Sequence, residues 1–289
     1  MATIIDGTVI AEKILSKVKV SFDEFKGRSL PEPKLVSSLV GYGEEGQIYV
    51  NAQKRAADKI GVNFEVKDLS KKIDTEMLLE IVRHYNNDDT VTAVIIQQPL
   101  PGHIDNDEVI STLSPCKDAE GIHPYNLGRI FRREADIVPC TPGAVMKILT
   151  EMEVDLYGKN VVIIGHSPIV GKPLSLMMLN EFATTSVCHI GTYKSGEIQN
   201  YSRKADILVV AVGKPALVNA DWIKDGAFVI DVGINNLNGK VVGDVDFDGV
   251  KNKVSAITPV PGGVGPVTVA ILMRNVLRAY RNQHGKIQK

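Results

Sequence analysis

Residues 161–173 read VVIIGHSPIVGKP, and this stretch decides the fold. Four apolar residues end at Gly165. A short turn of small residues follows, and PLSLMMLNEF (173–182) then has helical spacing. Strand, tight turn and helix in that order are the layout of a dinucleotide site. The glycine pattern is G-x-S-x-x-x-G in place of G-x-G-x-x-G. Gly165 suits the tight turn, Ser167 offers a hydroxyl to a phosphate, and Gly171 lets the helix pack closely. The free N–H groups and dipole of a helix N-terminus favour an anion there. A plain strand-to-helix turn of small residues is the alternative.

Working outward, TSVCHI (185–190), ADILVVAVG (205–213) and GAFVIDVGIN (226–235) read as further strands, with NADWIKDG (219–226) between the last two. Their continuous apolar runs suit a parallel sheet covered on both faces. An earlier alternation precedes them. Residues 8–26 read as an amphipathic helix and PKLVSSLVGYG (33–43) as a buried strand entering a turn. GQIYVNAQKRAADKIG (46–61) is helical and stops at Gly61. NFEVKDLS (63–70) is a strand, TEMLLEIVRHYNND (75–88) a helix, and VTAVIIQQPLP (91–101) a strand ending against prolines. This is βαβ alternation. PCTPGAVMKILTEM (139–152) lies between the two alternations and reads as the crossover.

The chain has 289 residues, 44% hydrophobic and 23% charged, with a formal net charge of −1. That balance argues against a general nucleic-acid binder, which needs a basic surplus. The start, MATIIDGTVIAEKIL, lacks the basic and long apolar regions of a signal peptide. No apolar run of about 18 residues predicts a membrane span. Cys116, Cys140 and Cys188 lack metal-ligand spacing and read as reduced structural thiols, so a cytoplasmic protein without a metal is expected.

A dehydrogenase using NAD usually carries an acid at the end of the second strand, to hold the ribose 2′-hydroxyl. Cys188, His189, Ile190 and Gly191 supply none. Thr192 and Lys194 stand where a 2′-phosphate would be contacted, so NADP is expected. One more stretch is unusual. TPVPGGVGPVT (258–268) follows the strand-like VSAI, precedes the helical VTVAILMRNVLRAY (267–280) and is almost free of side-chain donors. It reads either as a tight strand-to-helix turn or as a backbone wall for something flat.

QIYVNAQKRAADKIG, IIQQPLP, KDAEGIHPYNLGR, PCTP, IGHSPIVGKP, VGKP, IDVGIN, GDVDF and TPVPGGVGPVT together resemble the FolD family, methylenetetrahydrofolate dehydrogenase/methenyltetrahydrofolate cyclohydrolase. The resemblance runs over nearly the whole chain in the family's order. It implies an α/β fold of two domains. An N-terminal folate-binding domain with a parallel sheet takes residues 1–140 plus 266–289, the C-terminal helix returning to it. A Rossmann-like NADP-binding domain takes 141–265. The folate is expected in the cleft between them, and a homodimer in the cytoplasm.

The resemblance also implies site residues. Tyr49 stacks on the folate, Gln97 hydrogen-bonds at the centre of the site, and Glu120, an acid just ahead of the His–Pro pair, accepts bonds from the pterin. Pro261, Gly262 and Gly263 form a wall beside the rings. Gly165, His166, Ser167, Ile190, Thr192 and Ile234 hold NADP. Without the resemblance, Tyr49 reads as a core tyrosine, Gln97 as an edge amide, and Asp118 with Glu120 as a solvated turn pair.

Two positions depart from the family pattern. The family's Y-V-x-x-K helix carries a catalytic lysine where this chain has Gln53, with Lys54 next door but about 100° around the helix. Glu120 stands where the family has aspartate. Hydride transfer needs positioning, whereas hydrolysis moves protons. The expected activity is therefore NADP-dependent oxidation of 5,10-methylenetetrahydrofolate, with hydrolysis of the methenyl product to 10-formyltetrahydrofolate weakened by Gln53; Tyr49, Gln53, Gln97 and Glu120 are the expected catalytic residues. The alternatives are a dehydrogenase without the hydrolase, a different two-domain NAD(P) dehydrogenase acting on a small acid, and a folate- or nucleotide-binding regulator.

Overall fold

Eleven residues from the N-terminus, the chain passes from one compact unit into another. In the computed structural model, which describes residues 2–27, 30–41 and 44–285, one unit comprises Met1–Ala11 with Thr141–Thr268. The other comprises Glu12–Cys140 with Val269–Lys289. The sequence reading puts residues 1–140 and 266–289 in one domain and 141–265 in the other. The first eleven residues differ from it: they fall in the nucleotide-type unit, because strand β1 (Thr3–Ile4) pairs in parallel with β11 (Ala256–Ile257). The C-terminal helix changes units three residues later than expected, after Thr268.

The folate-type unit begins within α1 (Gly7–Asp23) and continues through β2 (Lys34–Val40), α2 (Glu44–Ile60), β3 (Asn63–Leu69), α3 (Thr75–Asn87) and β4 (Ala93–Ile96). Short helices α4 (Asn106–Thr112) and α5 (Pro124–Phe131) follow. The sheet order is β3-β2-β4, with both pairings parallel. Alternating helices give this, since each helical crossover returns the chain to the end of the sheet where the preceding strand began. Gly61 ends α2 with φ +78°, a conformation open to glycine. Asp74 caps α3 by accepting from the Met77 amide at 2.9 Å. Val36, Leu78, Val82 and Val94 lie in the core. The turn read at Gly41–Gly43 lies partly outside the described residues.

The segment after α4 extends this sheet. The Val94 amide donates to the Lys117 carbonyl at 2.7 Å, and the Ala119 amide donates to the Val94 carbonyl at 3.2 Å. Residues 117–119 thus run parallel beside β4, with Asp118 level with Val94. Lys117, 5% exposed, donates its ammonium to the Tyr85 and Asp88 carbonyls at the end of α3.

The nucleotide-type unit opens with α6 (Cys140–Glu151), which starts at the boundary, and continues with β5 (Asn160–Ile164), α7 (Gly171–Asn180) and β6 (Thr184–Cys188). Then come α8 (Ile190–Lys194), α9 (Ile198–Ser202), β7 (Ile207–Val210), β8 (Phe228–Asp231), the hairpin β9 (Asn235–Leu237) and β10 (Lys240–Val242), α10 (Phe247–Val250) and β11. Helix α11 (Val264–His284) closes the chain. The six-stranded sheet has the order β1-β11-β8-β7-β5-β6, all parallel. β6 lies on one side of β5 and the later strands on the other, so the order reverses at the ends of β5 and β7. Ligands of open α/β sheets bind at that point. Among the described residues no helix is long and apolar enough to cross a membrane.

Candidate active site

The folate-type unit gathers its polar side chains at the C-terminal ends of its strands. Tyr49 and Gln53 stand one turn apart on α2, on one face. Gln53 is 1% exposed, and its Oε1 accepts from Gln97 Nε2 at 2.9 Å. The same Gln97 nitrogen donates to Ser37 Oγ at 3.0 Å. Gln97 directly follows β4 and Ser37 lies within β2, so both are fixed by the sheet. With Oε1 of Gln53 committed, its amide nitrogen is the end left for the Tyr49 hydroxyl, with which it bonds. The Tyr49 ring remains partly exposed. Lys54 is exposed. The helix therefore turns Gln53 inward and leaves Lys54 exposed.

Asp118 and Glu120 are not a solvated pair. Asp118 is 1% exposed because residues 117–119 are drawn alongside β4. Its oxygens accept from the Gly121 amide at 2.9 Å, the His123 amide at 2.8 Å and Asn126 Nδ2 at 2.9 Å. Asp118 is thereby spent on shaping the turn. Glu120, two residues on, is the carboxyl that the turn presents.

Burial, reinforced by the Asp118 charge, pushes the Glu120 carboxyl up to about 8. Burial likewise raises the Cys140 thiol, with Glu120 and Asp118 adding to it. It raises the Tyr49 phenol too, helped by Cys140 and Glu120. Glu120 is thus a carboxyl of this cluster that changes charge near neutrality, as acid–base chemistry requires. The raised value also makes a stability prediction. Below pH about 4.5 Glu120 is protonated in the folded and unfolded chains alike, and between there and about 8 only the folded chain keeps the proton. Stability is therefore lost as pH rises through that window. Glu120→Gln should melt higher than the wild type by a margin that grows from pH 5 to pH 8 and then levels. A margin independent of pH, read from thermal melts, contradicts this.

Asn275, on α11, has no precedent in the sequence reading. It is 0% exposed, and its Nδ2 donates to the Ala119 carbonyl at 2.9 Å and the Val138 carbonyl at 2.8 Å. It ties the segment bearing Glu120 to the segment entering α6. Ser37 and Asn126 were missed as well, since isolated polar residues in a strand and a helix carry no periodic signal.

The nucleotide-type unit holds the other expected residues. Gly165 has φ +127°, and a Cβ there would stand 2.2 Å from the Ala211 carbonyl oxygen. A Cβ on Gly171 would stand 1.9 Å from the Gly165 carbonyl oxygen. Both glycines are required, and together they make the close backbone turn that a pyrophosphate needs at the start of α7. Ser167 Oγ accepts from the Val170 amide at 3.1 Å and keeps its own proton to donate. Ile190 and Ile234, just past β6 and β8, are 55% and 68% exposed. Exposed isoleucines at two strand ends offer apolar surfaces for flat rings. These residues fit a dinucleotide.

Two buried acids organise the surrounding loops. Asp244 accepts from the Val212 amide at 2.7 Å, the Gly213 amide at 3.0 Å, the Lys214 amide at 2.7 Å and Asn235 Nδ2 at 2.9 Å. It sets the loop after β7. Asp231 accepts from the Gly233, Asp244 and Val245 amides, yet burial still lifts its carboxyl to about 6.

Pro261, Gly262 and Gly263 also belong to this unit. Gly262 has φ +99°, and the space around its missing Cβ is open. Its carbonyl accepts from the Gly7 amide at 2.9 Å. A Cβ on Gly7 would lie 1.7 Å from the Gly263 carbonyl oxygen, and a Cβ on Gly263 would lie 2.5 Å from the Pro259 carbonyl oxygen. The loop is therefore a tight turn packed on the start of α1, while Gly262 keeps one bare, open side. Gly7→Ala should cost about 1–3 kcal/mol through overpacking, measured by thermal denaturation. An unchanged melting temperature would mean that the loop is not held against α1.

The tetrahydrofolate dehydrogenase/cyclohydrolase catalytic-domain family matches residues 5–120, and the corresponding NAD(P)-binding-domain family matches 139–284. The bifunctional protein FolD of Sulfurihydrogenibium is 45% identical over 97% of this chain and 98% of its own length. The crystal structure of the bifunctional FolD enzyme of Campylobacter jejuni has a TM-score of 0.92 and 41% identity, covering 98% of this chain and 99% of that one. The Trypanosoma brucei methylenetetrahydrofolate dehydrogenase-cyclohydrolase, solved with NADP and inhibitor, has a TM-score of 0.92 and 36% identity over 97% of this chain and 98% of that one.

Proposed function

Since the chain belongs to the tetrahydrofolate dehydrogenase/cyclohydrolase family, we propose that it carries out both of the family's reactions with the side chains described above. It oxidises 5,10-methylenetetrahydrofolate to the 5,10-methenyl cation with NADP, and it hydrolyses that cation to 10-formyltetrahydrofolate. The observation that carries the assignment of residues is the buried chain Ser37–Gln97–Gln53 ending at Tyr49, in the same unit as Glu120.

Tyr49 gives the pterin a flat apolar contact. Glu120 accepts hydrogen bonds from its amide edge. Gln97 and Gln53 fix the reacting bridge. NADP, when bound, supplies the hydride acceptor; Gly165, His166, Ser167, Ile190, Thr192 and Ile234 hold it, and Gly262 with its neighbours Pro261 and Gly263 presents bare backbone. Oxidation needs no proton transfer, so positioning by these groups suffices.

Hydrolysis adds water to the methenyl carbon, forms the formyl C=O and breaks one C–N bond, with release of one proton overall. Gln53 cannot accept that proton, so its part is to hold and orient the water. The family resemblance further supports a homodimer in the cytoplasm. The test is purified protein supplied with methylenetetrahydrofolate and NADP. NADPH and 10-formyltetrahydrofolate should both form. NADPH with the methenyl compound accumulating leaves a dehydrogenase alone, and no NADPH removes the proposal.

A further inference from the structure

The strand ends that receive the coenzyme lack an arginine, but they carry two histidines. His166 directly follows Gly165 at the end of β5, and His189 follows Cys188 at the end of β6. Both are exposed, and their ring centroids stand 5.1 Å apart. His189 is oriented from behind. Its Nδ1 accepts from the Gly191 amide at 3.1 Å, so in the neutral ring the proton sits on Nε2, which becomes the outward donor. Gly191 has to be small for this, because a Cβ there would stand 2.9 Å from the ring.

The local charges agree with an anion. Between residues 165 and 180 there is no acid, and Lys172 adds a positive charge. Across α8, α9 and their caps the one carboxylate is Glu197, which accepts from Asn200 Nδ2 at 2.9 Å. The other titratable groups there are Lys194, Tyr193, Tyr201 and Arg203, the last committed to the Asp221 carbonyl at 2.6 Å. Cys188 is buried, which raises its thiol to about 11 and keeps it neutral.

We infer that His166 and His189 together recognise the 2′-phosphate of NADP and are the specificity-determining pair against NAD. The inference rests on the coenzyme reading above. With Nε2 of His189 an outward donor, His166 beside it and no acid between residues 165 and 180, the pair offers donors to a phosphate dianion that NAD lacks.

The probes are adenosine 2′,5′-bisphosphate and 5′-AMP, titrated by calorimetry into the full-length protein. The variants are His166→Gln, His189→Asn and the pair combined; asparagine keeps an acceptor for the Gly191 amide. The double variant should lose about tenfold or more in affinity for the bisphosphate, with 5′-AMP within about twofold. Unchanged bisphosphate affinity in the double variant, with both ligands still binding, overturns the histidine assignment. Failure of the wild type to bind either ligand overturns the coenzyme reading itself.

Discussion

Replacing Gln53 with lysine should raise the rate of methenyltetrahydrofolate hydrolysis by about tenfold or more, since acid–base help contributes about 10²–10⁴-fold in general. Gln53 is 1% exposed and bonded to Gln97, so the new ammonium enters a desolvated place. Burial lowers a lysine's pKa and brings it nearer the working pH. Gln97 has to turn its carbonyl toward the ammonium, and Ser37 can rotate its hydroxyl from acceptor to donor to follow. The ammonium also favours the ionised form of Glu120, so the pH dependence of hydrolysis should move to lower pH. Oxidation should change less, because it moves no proton. Lys54→Met is the control: Lys54 is exposed and its removal should leave both rates as they were. Stopped-flow hydrolysis, corrected for the uncatalysed reaction, gives the numbers. A slower Gln53→Lys enzyme would mean that the glutamine-held water is already the better arrangement.

Asp118→Ala should abolish both reactions and destabilise the folate-type unit by about 3–5 kcal/mol, the usual cost of removing one partner from a buried charged network. Three donors lose their acceptor together: the amides of Gly121 and His123, and Asn126 Nδ2. The turn that presents Glu120 is then held only from outside, among the described residues by Asn275 on the Ala119 carbonyl, the Cys140 amide on the Glu120 carbonyl and the Ala119 amide on the Val94 carbonyl. Asp118→Asn keeps one acceptor oxygen but sets an amide nitrogen toward a donor, so it should fall between alanine and the wild type. Urea unfolding followed by far-ultraviolet circular dichroism measures the loss. A melting curve and activities like those of the wild type in Asp118→Ala would place the turn's support elsewhere.

The strands and helices were legible because their patterns are local. The run VVIIG with a helix behind it predicts β5 and α7, and the clashes that a Cβ would make at Gly165 and Gly171 explain those glycines. The face of α2 was legible too, since Tyr49 and Gln53 are four residues apart and Lys54 falls a hundred degrees away. What was hidden depends on pairing between distant segments. Nothing local says that residues 117–119 run beside β4, so Asp118 reads as solvated when it is buried. Asn275 lies 156 residues from the carbonyl it holds. Residues 1–11 leave their expected domain for a two-residue strand, too short to show a period. The two histidines were visible singly, but their closeness depends on β5 and β6 being neighbours.

The proposed function places both reactions in one folate pocket, built on Tyr49, Gln53, Gln97 and Glu120. The direct test is the inhibition constant of folic acid, which lacks the one-carbon bridge. It is measured in two assays with NADP present in both: against methylenetetrahydrofolate in NADP reduction, and against the methenyl compound in hydrolysis. Competitive inhibition with the same constant in each is the predicted result, and Tyr49→Ala should weaken both equally. Constants differing by about tenfold, or hydrolysis that folic acid leaves untouched, would contradict a shared pocket.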